Sequence, residues 1–562
     1  MNRIRPLLLA ALFTMACSPV GPGPSVPQAD QARRAAAIQR PLIVGFVTEP
    51  DVLEPSMNAG TGNRDFDALT NAFLAYLNPQ QQPIPYLAQD LPSLDTGTWK
   101  VLPDGRMETT YTLRRNATWH DGAPITVHDF LFAHRVRADP EMPVHVSHTE
   151  RRTTARAIDD FTLFLEWREP HIWAGMLHSE NFAPLPRHLL EEMYTTDRER
   201  FITGPHWRAE YVGGGPYRIE SWQPGVDLTL RAHPGFVLGK PPIDQMVFRF
   251  ITDANTIVAN LLAGSVDIAF HSSIAFAQGQ ALAEAGWPGT IEYWRGNPRF
   301  IEFQQRDWGN QQRAVLDVRV RRALLHAIDR RAMVDALYEG KAPVQHFWLD
   351  PADPAFAAVD RTAAKYEYDV PRAEVLLREA GWVKAGDGVA RNPQGDALNI
   401  PILNHPSDLD MAEGAIVVNY WKAIGVSSDI TRLTPAQMRD GEYRSKFPAV
   451  AYNRRGLGYD DLIFLTSNHS TPENRWSGQN RNGYSNPTVD DYINRALSTV
   501  DPREREPLFV EAFRAWTSDA VVTPTHLQPR IVAYPNGLRG PKETWVGESG
   551  IPWNSWEWEW KG

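Results

Sequence analysis

The sequence predicts an α/β fold built around more than one hydrophobic core, and three observations carry that expectation. The chain has 562 residues, 43% of them hydrophobic and 22% charged, whereas a single core rarely grows beyond about 250–300 residues. Apolar positions at helical spacing alternate along the whole chain with short strand-like runs. No internal repeat is visible, so a solenoid or propeller is excluded. The net charge of −10 carries no concentrated basic stretch, which argues against a nucleic-acid binder. Nineteen Trp, 17 Tyr and 23 Phe supply enough aromatic surface to wall a wide cleft as well as to fill cores.

The amino terminus reads as an export signal. Arg3 and Arg5 form a positive start, and Leu7 to Ala16 is an apolar run too short to cross a bilayer as a helix. It ends in Thr14-Met15-Ala16-Cys17, and Cys17 is the only cysteine. The arrangement resembles a bacterial lipobox, with Thr14 where that motif usually has Leu. Residues 1–17 are therefore expected to be a signal peptide whose Cys17 carries lipid. Residues 18–40, with Gly-Pro-Gly-Pro and no apolar period, read as a flexible tether. No other apolar segment is long enough to span a membrane.

The folded body is expected to begin near Pro41. Leu42–Val47 reads as a strand, as do Phe161–Trp167, Leu228–Leu230 and Met246–Ile251. Between Thr110 and Pro140, Tyr111 and Leu113 alternate with polar residues, Asp121-Gly122 makes a turn, and Thr126 with Asp129 forms a capping box that opens a helix. From Val320 to Leu337 the apolar residues keep helical spacing up to a stop at Gly340. Arg319, Arg321, Arg322, Arg330 and Arg331 fall largely off that stripe and read as a solvated face. Asp369 and Pro371 start a helix that ends at Gly381, Asn486-Pro487 starts another, and Asp501-Pro502 starts one carrying Leu508, Phe509, Ala512, Phe513 and Trp516.

Sequence signatures of enzymes are missing. No GxSxG, HExxH, Walker or CxxC pattern occurs. Gly60-Thr61-Gly62 lacks the third glycine of a dinucleotide loop and reads as a turn. His145 and His148 fall short of the three or four ligands that a metal site requires and read as a polar surface pair. No cofactor is expected, and a hydrolase with dispersed catalytic residues stays open only as an alternative.

Several segments carry a resemblance to a known family. Leu113–Phe132 is similar to the LRxxxxWxDGxPxTAxDxxF segment of the family 5 extracellular solute-binding proteins, with Val127 in place of Ala. Thr48–Pro55 resembles the first strand and the turn after it, with Glu54 for Asp. Gly213–Ile219 resembles the GTGPYxL loop, Leu262–Ala269 the LxxGEVDIA element, and Val318–Leu324 with Ile328-Asp329-Arg330 the DxRVRQAL…AIDR helix. Tyr368–Gly381 and Gly483–Asp490 resemble YDPxxAxxLLxEAG and GYxNPxVD. These landmarks stand in the family's order, and the resemblance runs from about Leu42 to about Pro541.

The resemblance implies a two-lobed periplasmic-binding-protein-like fold of the large peptide-binder type, with an extra inserted subdomain. Lobe I would comprise residues 41–290 and 520–562, with 76–211 inserted, and lobe II residues 291–519. It also implies a monomeric receptor in the periplasm or cell envelope, held to the membrane by lipidated Cys17, that captures a peptide or small solute and passes it to an ABC transporter permease. Family positions suggest Gly60, Thr61, Phe132 and Trp308 as ligand contacts. In peptide-binding members an aspartate in a D-x-x-[DE]-P segment fixes the peptide ammonium. With Phe464 aligned to the family aromatic, Leu457 stands in place of that aspartate and Asp461 in place of the proline. Arg454, Arg455, Tyr459 and Asp460 lie in the same stretch, and two guanidinium groups suit a carboxylate or phosphate. A specialised importer of a non-peptide, anionic solute is therefore the alternative to peptide import, and a sensor on the same fold is a further one.

Overall fold

The computed structural model describes residues 40–57, 64–80, 82–142, 150, 153–177, 182–308, 313–456, 465–543 and 550–561. The segments holding Cys17, Gly60, Thr61, His145, His148, Tyr459 and Asp460 lie outside them. Two large mixed sheets organise the chain. The first has seven strands in the order Gly289–Trp294, Arg530–Pro535, Ile268–Ala269, Leu42–Phe46, Gln245–Phe250, Asp227–Ala232 and Tyr217–Gln223. Its central strand Leu42–Phe46 pairs in parallel with both neighbours. A strand covered on both faces must be apolar throughout, and Leu42, Val44 and Phe46 are fully buried. The second sheet has five strands in the order Ile430–Arg432, Ile402–Asn404, Val450–Arg454, Pro298–Phe303 and Val522–Leu527. Among the described residues, a four-stranded antiparallel sheet, Trp99–Val101, Met107–Thr112, Thr162–Trp167 and Thr153–Asp159, forms within the stretch expected to be inserted.

Sheet membership shifts the expected lobe boundaries. Gly289–Trp294 pairs with Arg530–Pro535 in the first sheet, and Val522–Leu527 pairs with Pro298–Phe303 in the second. The chain thus passes between the sheets at Arg295–Asn297 and again at Gln528–Pro529, a few residues beyond the 290/291 and 519/520 divisions. Hydrogen bonding decides the matter, because a strand belongs to the sheet whose ladder satisfies its backbone.

Local signals set most element ends. Asp129 Oδ2 accepts the Thr126 backbone N–H at 2.8 Å and the Thr126 hydroxyl at 3.1 Å, opening the helix Val127–Ala138. Gly122 takes a φ of +92° in the turn before it. The glycines of Gly213-Gly214-Gly215 have a packing reason: a Cβ on Gly213 would lie 1.9 Å from the Thr70 carbonyl oxygen. Asp369 caps the helix Val370–Glu379 through the Arg372 N–H at 2.8 Å, and Asn486 and Asp501 cap Pro487–Ser498 and Pro502–Asp519.

Two expectations are corrected. The single helix from Val320 to Gly340 is two, Val318–His326 and Arg330–Tyr338, because the Asp329 carboxylate accepts the Ala332 N–H at 2.9 Å and starts a new N-terminus. The arginines of that stretch do not all form a solvated face. Arg321 and Arg330 are 5% and 4% exposed. Arg321 donates to the carbonyls of Val315, Leu316 and Asp519, and Arg330 Nη1 to that of Tyr366 at 2.6 Å. Burial pulls both guanidinium pKa values down to about 10. They remain charged at neutral pH and satisfy chain ends that would otherwise be buried without donors.

Candidate functional site

The two passages between sheets lie side by side. Gln528 N–H donates to the Asn297 carbonyl at 2.9 Å. A Cβ on Gly296 would fall 2.0 Å from the Gln528 carbonyl oxygen, so only glycine permits this approach. Arg295, on the first passage, reaches both bodies: Nη1 meets Asp350 Oδ1 at 3.0 Å on the second, and Nε meets Glu543 Oε1 at 3.1 Å on the first. Two adjacent connections link the two sheet-centred bodies, which makes them the candidate hinge.

Away from the hinge the bodies meet along a seam. Ile172 and Trp173, which follow the strand Thr162–Trp167, pack into one apolar cluster with Phe300, Phe347 and Trp348 of the second body. The Phe300 and Trp348 rings are edge to face at 4.7 Å. Near the hinge, Phe276 of the first body meets Tyr338 of the second at 5.4 Å.

On the first body, Asp65 and His271 lie close to Arg530. Asp65 Oδ1 accepts the Ile551 N–H at 2.7 Å, and Asp65 Oδ2 accepts the Ser272 hydroxyl at 3.1 Å. Burial raises the Asp65 carboxyl, against these bonds and the Arg530 charge. His271 presents an exposed edge, yet desolvation by the surrounding protein, with help from Arg530, holds its imidazole well below the usual value.

On the second body, polar groups gather on the sheet face that carries Phe300. Asn453 lies opposite Phe300 in the ladder. Its Nδ2 donates to Glu302 Oε1 at 2.6 Å, and Asn482 Nδ2 donates to Glu302 Oε2 at 3.3 Å. Glu302 is 5% exposed. Burial raises its pKa, while the charges of Arg481, Arg444 and Arg455 pull the other way. Arg455 Nη1 and Arg481 Nη2 both donate to Gln479 Oε1, at 2.9 and 3.3 Å.

The residues proposed from sequence distribute unevenly. Arg455 joins this polar group. Arg454 turns to the opposite sheet face, 46% exposed, with Nη1 3.9 Å from Asp410 Oδ2. Phe132 is corrected from a ligand contact to a core residue: it is 3% exposed and meets Tyr194 at 5.8 Å. Its helix turns that face inward, where burying an aromatic ring is worth about 1.5–3 kcal/mol. Trp308 is half-buried and meets Trp476 at 6.2 Å, with Lys446 Nζ 5.3 Å above each ring and the Arg306 guanidinium 4.9 Å from its own. Glu302, Arg444, Gln479 and Arg481 escaped the sequence reading. A lone arginine or glutamine on a loop has no period or motif to mark it.

Comparison with known proteins shows the family and the fold. Residues 90–475, more than half of the chain, match the bacterial extracellular solute-binding proteins, family 5 Middle. The protein belongs to this family. It is 22% identical over 545 residues to the oligopeptide-binding protein AppA of Bacillus subtilis, covering 95% of this chain and 94% of the relative. The structure of an oligopeptide-binding protein from Thermus thermophilus complexed with a pentapeptide superposes with a TM-score of 0.72 at 24% identity, over 92% of this chain and 96% of that one. NikZ from Campylobacter jejuni in complex with Ni(L-His) superposes with a TM-score of 0.73 at 21% identity, over 92% and 99%. The solved relatives are two-lobed binding proteins, and this family member shares their fold.

Proposed function

We propose that the protein is the solute-capturing receptor of an ABC importer, taking peptides or related organic solutes between its two bodies and presenting the closed form to a membrane permease. The observation that carries this reading is the hinge. Gly296 and Gln528 keep two connections in contact, Arg295 touches both bodies, and an aromatic seam faces across them. Closure around a solute removes water and strengthens every polar contact inside. The permease can then distinguish loaded from empty receptor by the angle between the bodies. The mechanism is binding without covalent chemistry.

Export by the signal at residues 1–17, lipid attachment at Cys17 and the tether at 18–40 would hold a monomeric body in the periplasm or cell envelope, near its permease. More than one acyl chain is needed for firm attachment, each buried CH₂ contributing about 0.8 kcal/mol. The relatives' names run from oligopeptides to Ni(L-His), and Arg455 with its arginine neighbours favours a second reading, an anionic non-peptide solute. Native mass spectrometry of the purified protein, with release of bound molecules under denaturing conditions, tests the assignment. A ladder of short peptides supports peptide import, and a single non-peptide mass supports the second reading. A protein that arrives empty and binds nothing in a thermal-shift screen of peptides and organic acids would refute the receptor assignment.

A further inference from the structure

Arg530 opens the strand Arg530–Pro535, directly after the second passage between the sheets. The residue is 8% exposed. A guanidinium so far removed from water is ordinarily held by carbonyls or carboxylates, because burying a charge without hydrogen bonds is costly. Arg321 and Arg330 follow that rule, each donating to main-chain carbonyls. Arg530 does not. Its Nε is buried without a partner, the terminal Nη1 and Nη2 are not closed off in this way, and among the described residues the side chain enters no hydrogen bond or ion pair. The charges that act on it do so through space alone.

The carboxylates within reach of that charge, Asp65 and Glu543, are engaged elsewhere. Asp65 accepts the Ile551 N–H at 2.7 Å and the Ser272 hydroxyl at 3.1 Å. Glu543 Oε1 accepts the Arg295 backbone N–H and Nε at 2.8 and 3.1 Å. The place is the junction of the two bodies. Trp294 stands opposite Arg530 in the ladder, and a Cβ on Gly296 would come 2.9 Å from Arg530 Cγ. The same Arg295 that holds Glu543 reaches Asp350 of the second body at 3.0 Å. The unused donors therefore lie beside the connections about which the bodies would close.

We propose that Arg530 is the anion subsite of the first body, its Nη1 and Nη2 taking one carboxylate of the captured solute as a two-bond contact. Binding supplies the acceptor that the fold withholds. A guanidinium already stripped of most of its water and fixed in place loses little hydration or freedom when the solute arrives, so more of the contact remains as affinity. The charge is present at neutral pH, since burial lowers the pKa only to about 10. Arg530, Arg64 and Arg295 against Asp65 and Glu543 leave a single positive charge, which suits one carboxylate better than a doubly charged phosphate. This inference deepens the receptor reading and rests on it.

Calorimetric titration of the full chain with two pairs of probes, trialanine and trialanine amide, glutarate and glutaramide, tests it. The wild type should bind the carboxylate of a pair roughly tenfold to a hundredfold more tightly than the amide, the range for hydrogen bonds to charged groups. Arg530→Gln should lose that preference, and Arg530→Gln/Asp65→Asn should not regain it. An arginine present only to balance the buried Asp65 would behave otherwise, because the double variant strands no charge. Arg530→Lys keeps the charge without the planar fork. It should reduce the preference roughly twofold to tenfold, the value of one hydrogen bond, and it carries the test if the glutamine variant does not fold. The proposal is overturned if wild type shows no preference, if the preference survives in Arg530→Gln or returns in the double variant, or if carboxylates and amides lose affinity alike, which would make Arg530 a brace for closure. A co-purified solute without a carboxylate overturns this inference alone. An empty protein that binds none of the probes overturns the receptor reading with it.

Discussion

Replacing Arg299 by Met should destabilise the second body more than almost any other single change. Arg299 is fully buried on the strand Pro298–Phe303. Its guanidinium ion-pairs with Asp410 and Glu413, both 0% exposed, and its Nε donates to Glu413 Oε1 at 3.1 Å. His526 Nε2 lies 3.2 Å from the same Glu413 oxygen, and burial holds that imidazole below its usual pKa. Burial alone would lower the Arg299 pKa, but Glu413, Tyr452 and Asp410 outweigh it and raise the value. Methionine fills similar volume and leaves two carboxylates without their cation. Removing one partner of a buried pair costs about 3–5 kcal/mol. At about 2–4 °C per kcal/mol for a body of this size, Tm should fall by roughly 6–20 °C in scanning calorimetry. The triple variant Arg299→Met/Asp410→Asn/Glu413→Gln should recover more than half of that loss, because the cost lies in the stranded charges and not in the missing pair. A single variant within about 2 °C of wild type, a shift worth 1 kcal/mol or less, or a triple variant no more stable than the single, would refute the reasoning.

Three further outcomes are expected. Gly296→Val puts a Cβ against the Gln528 carbonyl; the strain, about 1–3 kcal/mol, should force the two connections apart and weaken solute affinity, and an unchanged Kd and Tm would show that the crossing tolerates a side chain. Hydrogen bonds from the Glu141 N–H and Tyr194 hydroxyl, with Arg198, hold Asp139 at about 2. Its folded pKa lies below the unfolded value near 3.9, so its contribution is present above pH ~4 and lost as pH falls toward the folded value. Asp139→Asn should therefore flatten the drop in Tm between those limits, and an unaltered acid limb would remove Asp139 from it. Cys17→Ser should move the protein from the membrane to the soluble fraction of broken cells, and unchanged fractionation would dispose of the lipid anchor.

Legibility followed the range of the interactions. The Thr126–Asp129 cap, the Asp369 and Asn486 caps and the left-handed turn at Gly122 involve neighbours in sequence, so residue identity and spacing sufficed to place them. The break at Asp329 was equally local but hidden, because the apolar stripe runs on through Ala327 and Ile328, both fully buried. Arg321 and Arg330 were misread as solvated because an arginine off an apolar stripe usually is. Here they meet carbonyls of Asp519 and Tyr366, far along the chain, and no pattern within one helix reports such partners.

The aromatic residues show the same division. Their number suggested core filling as well as cleft walls, and Trp167, Trp207, Trp421, Trp516 and Trp558 are among the largest fully buried side chains. Trp173, Phe300 and Trp348 meet across the seam because of the folding of two separate bodies. By itself the sequence determined the class of fold, most element boundaries and the family resemblance, since each rests on periodicity, caps and turns that act over a few residues. The tertiary structure alone decided which strands belong to which sheet, which arginines are buried, and that Arg455 shares an acceptor with Arg481. Those outcomes depend on backbone ladders and side-chain contacts between segments distant in sequence, where the energy of a residue is set by neighbours that its own position along the chain does not name.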